Sequence, residues 1–222
     1  MTAAAHDVPS YFDISPPISE RSAVFPGDQK FSRTIVMETK SGQHLTLSHI
    51  QTTLHIGAHT DAPNHYHRDG ESIDERSLNF YFGPCQVIEV KAARGERIFP
   101  VHLNKIPIQA PRVLFKTNSF PDPLAWSNDF NSLSPELIAE LNRKKVILVG
   151  IDTPSVDPAE DKILSSHQAI HKNNMAILEG IDLSQAPAGV YTLIALPLKI
   201  KGADASPVRA ILLKNAEALW KS

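Results

Sequence analysis

Cysteine is nearly absent from this sequence. The single thiol, Cys85, excludes an intrachain disulfide, and a chain without disulfides fits a reducing compartment. Long apolar runs are also missing: no stretch reaches the ~18 residues a membrane span requires. Charge of one sign is lacking too, since 22 Lys and Arg face 24 Asp and Glu for a net charge of −2. No broad basic field is available to attract nucleic acid or an anionic membrane. The first residues, MTAAAHDVPSYFDISPP, hold no basic segment leading into an apolar core, so no secretory signal is expected. Repeats, low-complexity tracts and evident linkers do not occur. These absences set the expectation of one domain over residues 1–222, in the cytoplasm, with neither nucleic acid nor membrane as partner.

Proline is plentiful, at 17 residues beside ten glycines, which means many turns and argues against a helical bundle. YFDIS starts with a short strand and runs into a Pro-rich loop from Pro16 to Asp28. QHLTLSHIQTTLHIGAH is rich in Thr, Leu and Ile and predicts extended structure. GPCQVIEVKA and RVLFKTN predict strands. SPELIAELNRKK is the clearest helix, with Ser134 as N-cap, Pro135 in the first position, Glu136 in the first turn and lysines near its end. VILVGID, a continuous apolar run, predicts a strand buried on both faces. PAEDKILSSHQAIHKNN predicts a second helix. MAILEGI, GVYTLIALPLKI and PVRAILLK predict three more buried strands. The expected class is α/β, with a largely buried mixed sheet.

One stretch stands out: HIGAHTDAPNHYH, His55 to His67, places four histidines and an aspartate within thirteen residues. Gly57 and Pro63 disfavour a helix, and an extended segment puts His55, His59 and Asp61 on one face. Gly57 falls on that same face, where a side chain would take up room. The turn at Asp61-Ala62-Pro63 lets His65 come back toward them. Neutral imidazoles and a carboxylate are ligands for Zn²⁺, Mn²⁺ or Fe²⁺. No thiolate lies nearby, so a Cys-rich structural zinc site is excluded. Further ligands would come from among His102, Asp152, Asp157, His167, His171 and Glu179. Glu179 sits in an apolar strand, where a buried carboxylate needs a partner. Composition by itself does not choose between His167 and His171.

HIGAHTDAPNH resembles the His-x-Gly-[Thr/Ala]-His-x-Asp-x-Pro-x-His signature of the cyclase-like metal-dependent hydrolases. FDISPPIS, VFPGD, GIDTPSVDP, MAILEGIDLS, LIALPLKI and ADASPVRAILL resemble the bacterial kynurenine formamidase branch, so the likeness runs from Asp13 to Leu213. It implies a swivelling β/β/α fold, a homodimer and two divalent ions, Zn²⁺ first with Mn²⁺ as alternative. His55, His59 and Asp61 would hold one ion. Asp61 would also reach a second ion, bound with His167 and Glu179, and Glu179 would bridge as well. The family spacing to the glutamate selects His167 over His171. His65 would be the general acid/base. The implied reaction is hydrolysis of N-formyl-L-kynurenine to L-kynurenine and formate, a step of tryptophan catabolism. One departure stands in the VFPGD loop, where the formamidases carry a tryptophan that lines the substrate pocket. Here that position is Phe25, which can stack on an aromatic substrate but offers no indole N–H.

Two alternatives follow: a sister hydrolase on the same scaffold, such as an isatin hydrolase, or a non-catalytic metal binder, which would have no need of His65. Other residues read as ordinary. Ser155 lacks a G-x-S-x-G elbow and is expected in a hydrogen-bonding loop. Cys85 is expected to pack, His67 to be a polar loop residue, and Arg209 to be an edge charge or a partner of a carboxylate such as Asp204.

Overall fold

The computed structural model describes residues 11–214, so the expectation for the first ten residues lies outside the described part. In chain order the elements are β1 (Tyr11–Asp13), β2 (Ser32–Met37), β3 (Leu47–Gln51), β4 (His59–Asp61), β5 (Phe82–Glu89), β6 (Arg97–Ile98), β7 (Arg112–Lys116), β8 (Ser132–Leu133), α1 (Pro135–Arg143), β9 (Leu148–Ile151), α2 (Ser165–Lys172), β10 (Ala176–Leu178), β11 (Gly189–Ile194), β12 (Ala205–Pro207) and β13 (Ile211–Leu213). Seven strands form the central sheet in the order β1-β13-β11-β5-β7-β9-β10. It is mixed: β5, β7, β9 and β10 pair in parallel, and β1, β13, β11 and β5 pair antiparallel.

The parallel strands are apolar on both faces because both faces are covered. Val113, Phe115, Val149, Ile151 and Ile177 point toward Leu137, Ile138 and Leu141 of α1 and Ile170 of α2. Cys85, Val87, Leu114, Leu148, Ala176 and Leu178 point the other way, into a cluster with Ala58, Ile181 and Leu193. The short antiparallel pair β4–β12 joins the end of β10 through the His59–Glu179 bridge. A mixed, largely buried sheet with α1 and α2 packed on one face is the α/β class predicted. Cys85 is fully buried in the sheet, and that burial pushes its thiol pKa up, in keeping with a packing role.

Local chemistry explains the helix ends. Ser134 accepts a hydrogen bond from the Leu137 N–H at 3.1 Å, and Pro135 opens α1. The second predicted helix is shorter than its sequence suggested, starting at Ser165 instead of near Pro158. Two aspartates supply the reason. Asp161 accepts from the Ser165 N–H, and Asp157 accepts from the N–H groups of Ser166 and His167. Capping by those carboxylates fixes where the helix begins.

Three predicted strands are also broken. Residues 52–58 leave the extended conformation, with Gly57 at φ +57°. Strand β11 ends at Ile194, before Pro197, and the last segment divides into β12 and β13. Arg209 lies in that break and binds Asp13 through its Nε at 2.9 Å, with Nη2 on the same carboxylate. Asp204 is not its partner.

Candidate metal centre and active-site pocket

Strand β4 is held against the end of β10 by backbone bonds. The His59 N–H donates to the Glu179 carbonyl at 3.0 Å, and the Glu179 N–H donates to the His59 carbonyl at 2.9 Å. The Thr60 hydroxyl adds a bond to the Ile177 carbonyl at 2.6 Å. This pairing carries the histidine-rich segment to the strand-end glutamate. Gly180 makes the approach possible: its φ is +63°, and a Cβ there would lie 2.1 Å from the Gly57 carbonyl oxygen. Gly57 also departs from expectation. Its left-handed backbone brings His55 round from a loop, so His55 reaches Asp61 by a turn and not by strand parity.

Side-chain atoms converge at two places that share Asp61. His55, His59 and Asp61 form one group able to hold a metal ion, and Asp61, His167 and Glu179 form another. Asp61 Oδ1 is 2.9 Å from His55 Nδ1 and 3.5 Å from His59 Nε2, whereas Oδ2 is 3.3 Å from His167 Nε2. Glu179 straddles the groups in the same way, with Oε2 3.2 Å from His59 Nε2 and Oε1 3.7 Å from His167 Nε2. The Val156 N–H also donates to Glu179 Oε1.

The tautomers suit metal binding. His59 Nδ1 donates to the Gly57 carbonyl at 2.9 Å, which leaves the Nε2 lone pair facing the carboxylates. His167 Nδ1 lies 2.8 Å from Asp157 Oδ2, so its Nε2 is likewise turned inward. A carboxylate behind a ligating imidazole is the usual outer arrangement at metal sites. His59 Nε2 and Asp61 Oδ1 are buried and make no well-directed hydrogen bond, only close approaches to each other and to Glu179 and His55. Buried polar atoms left unpaired are costly, and a divalent cation would satisfy both. The donor set, all imidazole and carboxylate, fits such an ion.

The site attracts positive charge. Burial opposes protonation of His55, but Asp61 and Asp204 outweigh it and raise its pKa to about 10. Burial likewise opposes a charged His167, and hydrogen bonds to Asp157 and Asp61 raise it to about 10. Burial works against an ionised Asp61, yet the surrounding histidines hold its carboxyl well below the usual range. His65 differs: burial lowers its pKa, so its neutral form prevails at neutral pH.

Other candidates fall elsewhere. Asp157 stands behind His167, held also by Arg97 at 2.8 Å. Asp152 accepts from the Thr117 and Asn118 N–H groups. His171 stacks on His67 with ring centroids 4.0 Å apart, and His102 accepts from the Phe99 N–H. Ser155 accepts from the Asp157 N–H, as its loop role predicted.

The site lies in a pocket of about 630 Å³. His65 lines it, on a short 3₁₀ turn begun by Pro63, with its Nδ1 3.6 Å from Asp204 Oδ2. Asp204 also contacts His55 Nε2 at 3.0 Å. His55, His65 and Asp204 thus make a third convergence. Phe25 lines the pocket and meets Trp126 edge-on, with centroids 5.3 Å apart. Trp126, from a different loop, adds an indole ring to the same wall, with its N–H donated to Asn128 Oδ1. Sequence reasoning did not single out Asp204, Trp126 or Gly180 for these positions. Gly180 follows Glu179 in MAILEGIDLS, and Asp204 lies in ADASP, so both fall in segments that carry the family likeness. Trp126 carried no local signal.

The family model named Cyclase matches residues 12–158, more than half of the chain. A kynurenine formamidase of Polaromonas naphthalenivorans (strain CJ2) is 42% identical over 211 residues, covering 95% of this chain and 93% of the relative. A solved structure described as a potential metal-dependent hydrolase with cyclase activity is 27% identical, with a TM-score of 0.81 over 93% of this chain and 98% of its own. Isatin hydrolase A from Ralstonia solanacearum shares the fold at 23% identity, with a TM-score of 0.76 over 92% and 91% of the two chains. The signature residues, the layered sheet and these likenesses agree, and the chain belongs to the Cyclase family.

Proposed function

We propose that this protein is an arylformamidase that hydrolyses N-formyl-L-kynurenine to L-kynurenine and formate, a step in tryptophan catabolism. The observation that carries the proposal is the 42% identity to a kynurenine formamidase along 95% of the chain. The pocket supports it, since a charged site beside an aromatic wall suits an aryl amide.

His55, His59 and Asp61 would hold one divalent ion, and Asp61, His167 and Glu179 a second, with Glu179 also close to the first through Oε2 beside His59. Zn²⁺ is the first candidate and Mn²⁺ the second. Bound there, the ions would supply Lewis-acid polarisation of the formyl carbonyl and a lowered pKa for the attacking water. Asp157 and the Gly57 carbonyl keep the histidine lone pairs turned inward. His65 moves the proton. Its neutral imidazole takes one from the attacking water and returns it to the departing aryl nitrogen, a weak base that leaves readily only when protonated. Asp204, beside His65 Nδ1, orients the ring and steadies its charged form. Phe25 and Trp126 hold the aryl group.

Residues 1–222 form one hydrolase domain in this proposal, working in the cytoplasm. No helix among the described residues is long and apolar enough to cross a membrane. The working unit is a homodimer. The β2–β3 hairpin exposes Ile35, Val36, Leu47 and Ile50, each between 47% and 60% accessible. A two-stranded hairpin is marginal alone, and a second copy would cover those side chains.

Formate release from N-formyl-L-kynurenine, before and after chelation and with Zn²⁺ or Mn²⁺ restored, tests the proposal. Chelator-sensitive turnover that a metal restores is expected. Turnover of isatin alone, in a parallel assay, would move the protein to the sister hydrolases.

A further inference from the structure

We propose that Lys162 makes the pocket selective for aryl amides that carry an anionic side chain, by binding that anion at the pocket rim. This rests on the hydrolytic function proposed above and names how that site would choose among substrates.

Among the described residues that line the pocket, seven are Asp or Glu and Lys162 is the one Lys or Arg. With Asp61 and Glu179 given to the metal ions and Asp161 to Arg97, the carboxylates of Asp28, Asp152, Asp182 and Asp204 still disfavour an approaching anion unless a cation answers it. Lys162 is exposed and has no ion pair or hydrogen bond among the described residues. The adjacent Asp161 does not neutralise it. That carboxylate is turned to the Ser165 hydroxyl at 2.8 Å, the Ser165 N–H at 3.2 Å and Arg97 at 2.5 Å. Arg97 itself is consumed: it also donates to the Leu133 carbonyl, Asp157 and the Ser166 hydroxyl.

The backbone around Lys162 is well anchored. Asp157 ties one end of its loop to α2, and Asp161 accepts from the N–H groups of Ile163 and Leu164 as well as Ser165. The loop therefore presents a free ammonium on a flexible stem from a fixed base, which suits a carboxylate whose position varies with the substrate. The pocket also holds an aromatic surface, Phe25, Phe120 and Trp126, for the ring of the same molecule. The Trp126 indole is fixed by its N–H bond to Asn128 at 2.6 Å. Ring surface and cation together describe an aryl compound with a carboxylate tail.

The test compares metal-loaded wild type, Lys162→Arg, Lys162→Met and Lys162→Glu on two substrates. N-formyl-L-kynurenine carries the carboxylate, and formanilide is neutral. The readout is the ratio of their kcat/KM values, so damage to the whole fold, which lowers both, does not move it. Lys162→Met should lower the ratio about fivefold to tenfold, in the range of a partly exposed charged hydrogen bond. The change should appear in KM, because the anion is bound in ground and transition states alike. Lys162→Glu should lower the ratio further, Lys162→Arg should keep most of it, and salt should weaken the effect. A ratio indifferent to Lys162→Glu, with wild type active on both substrates, overturns this assignment alone. Formate release from neither substrate by wild type overturns the hydrolytic function and this assignment with it.

Discussion

Gly180→Ala is the substitution whose cost can be worked most directly from the structure. Two penalties combine. The residue lies at φ +63°, a left-handed conformation that costs an L side chain ~1–2 kcal/mol. The added Cβ would also sit 2.1 Å from the Gly57 oxygen and 2.9 Å from its carbon, where ordinary contact begins near 3.4 Å. The obstacle is backbone and cannot rotate away. The segments must part by about 1.3 Å, the shortfall between those two distances. Overpacking of this kind costs ~1–3 kcal/mol. Parting also strains the two backbone bonds between His59 and Glu179, each worth ~1 kcal/mol. The expected loss is ~4 kcal/mol from these contributions.

A matched control separates the penalties. Gly202 has φ +73°, but a Cβ added there would meet nothing within 4 Å, so Gly202→Ala should cost only the ~1–2 kcal/mol of the backbone conformation. Urea denaturation of both variants, with metal content measured beside it, is the assay. Gly180→Ala should be at least ~2 kcal/mol the less stable of the two and should bind metal poorly, because His59 and Glu179 move with the backbone. Equal losses in the two variants, with full metal content in both, would refute the close-approach argument.

Three further outcomes are expected. His65→Ala should retain its metal and lose ~10²-fold or more in turnover; unaltered kcat in a metal-loaded variant would remove His65 from the proton transfer. Asp157→Asn should weaken metal affinity ~10–100-fold, the usual cost of losing the partner behind a ligating histidine, and metal titration would read it directly. Asp13→Asn should slightly lower the melting temperature at neutral pH, and the difference should vanish in acid. The Arg209 hydrogen bond outweighs desolvation and holds the Asp13 carboxyl below its ordinary value. Its stabilisation is therefore present above the unfolded pKa, near 4, and is lost as pH falls through the lower folded value. A difference between wild type and variant that persists at pH 2 would contradict that sign.

Much of the site was legible along the chain because its chemistry is local. His55, His59, Asp61 and His65 lie within eleven residues, and their spacing around Gly57 and Pro63 announces a cation site before any fold is known. Glu179 announced itself by being a carboxylate in an apolar strand. The strands β5, β7, β9 and β10 were readable from apolar runs that only a sheet covered on both faces can bury. The helix at Pro135 was readable from its cap. Where the sequence misled, a residue within or beside the segment had redirected the backbone. Asp157 and Asp161 delayed the start of α2, and Gly57 turned a predicted strand into a loop.

The donor set and the helix and strand periods were thus determined by neighbours in sequence, where side-chain type and spacing suffice. Tertiary structure decided which groups stand around those donors. Pairing of β12 with β4 brings Asp204 to His55 and His65, and the β4–β10 bridge brings Glu179 between His59 and His167. Packing sets Trp126 against Phe25 and brings Lys162 to the lining of the same pocket. These contacts join residues far apart in the chain, whose meeting depends on strand order and register. No local propensity encodes that order, and only burial of the whole sheet selects it.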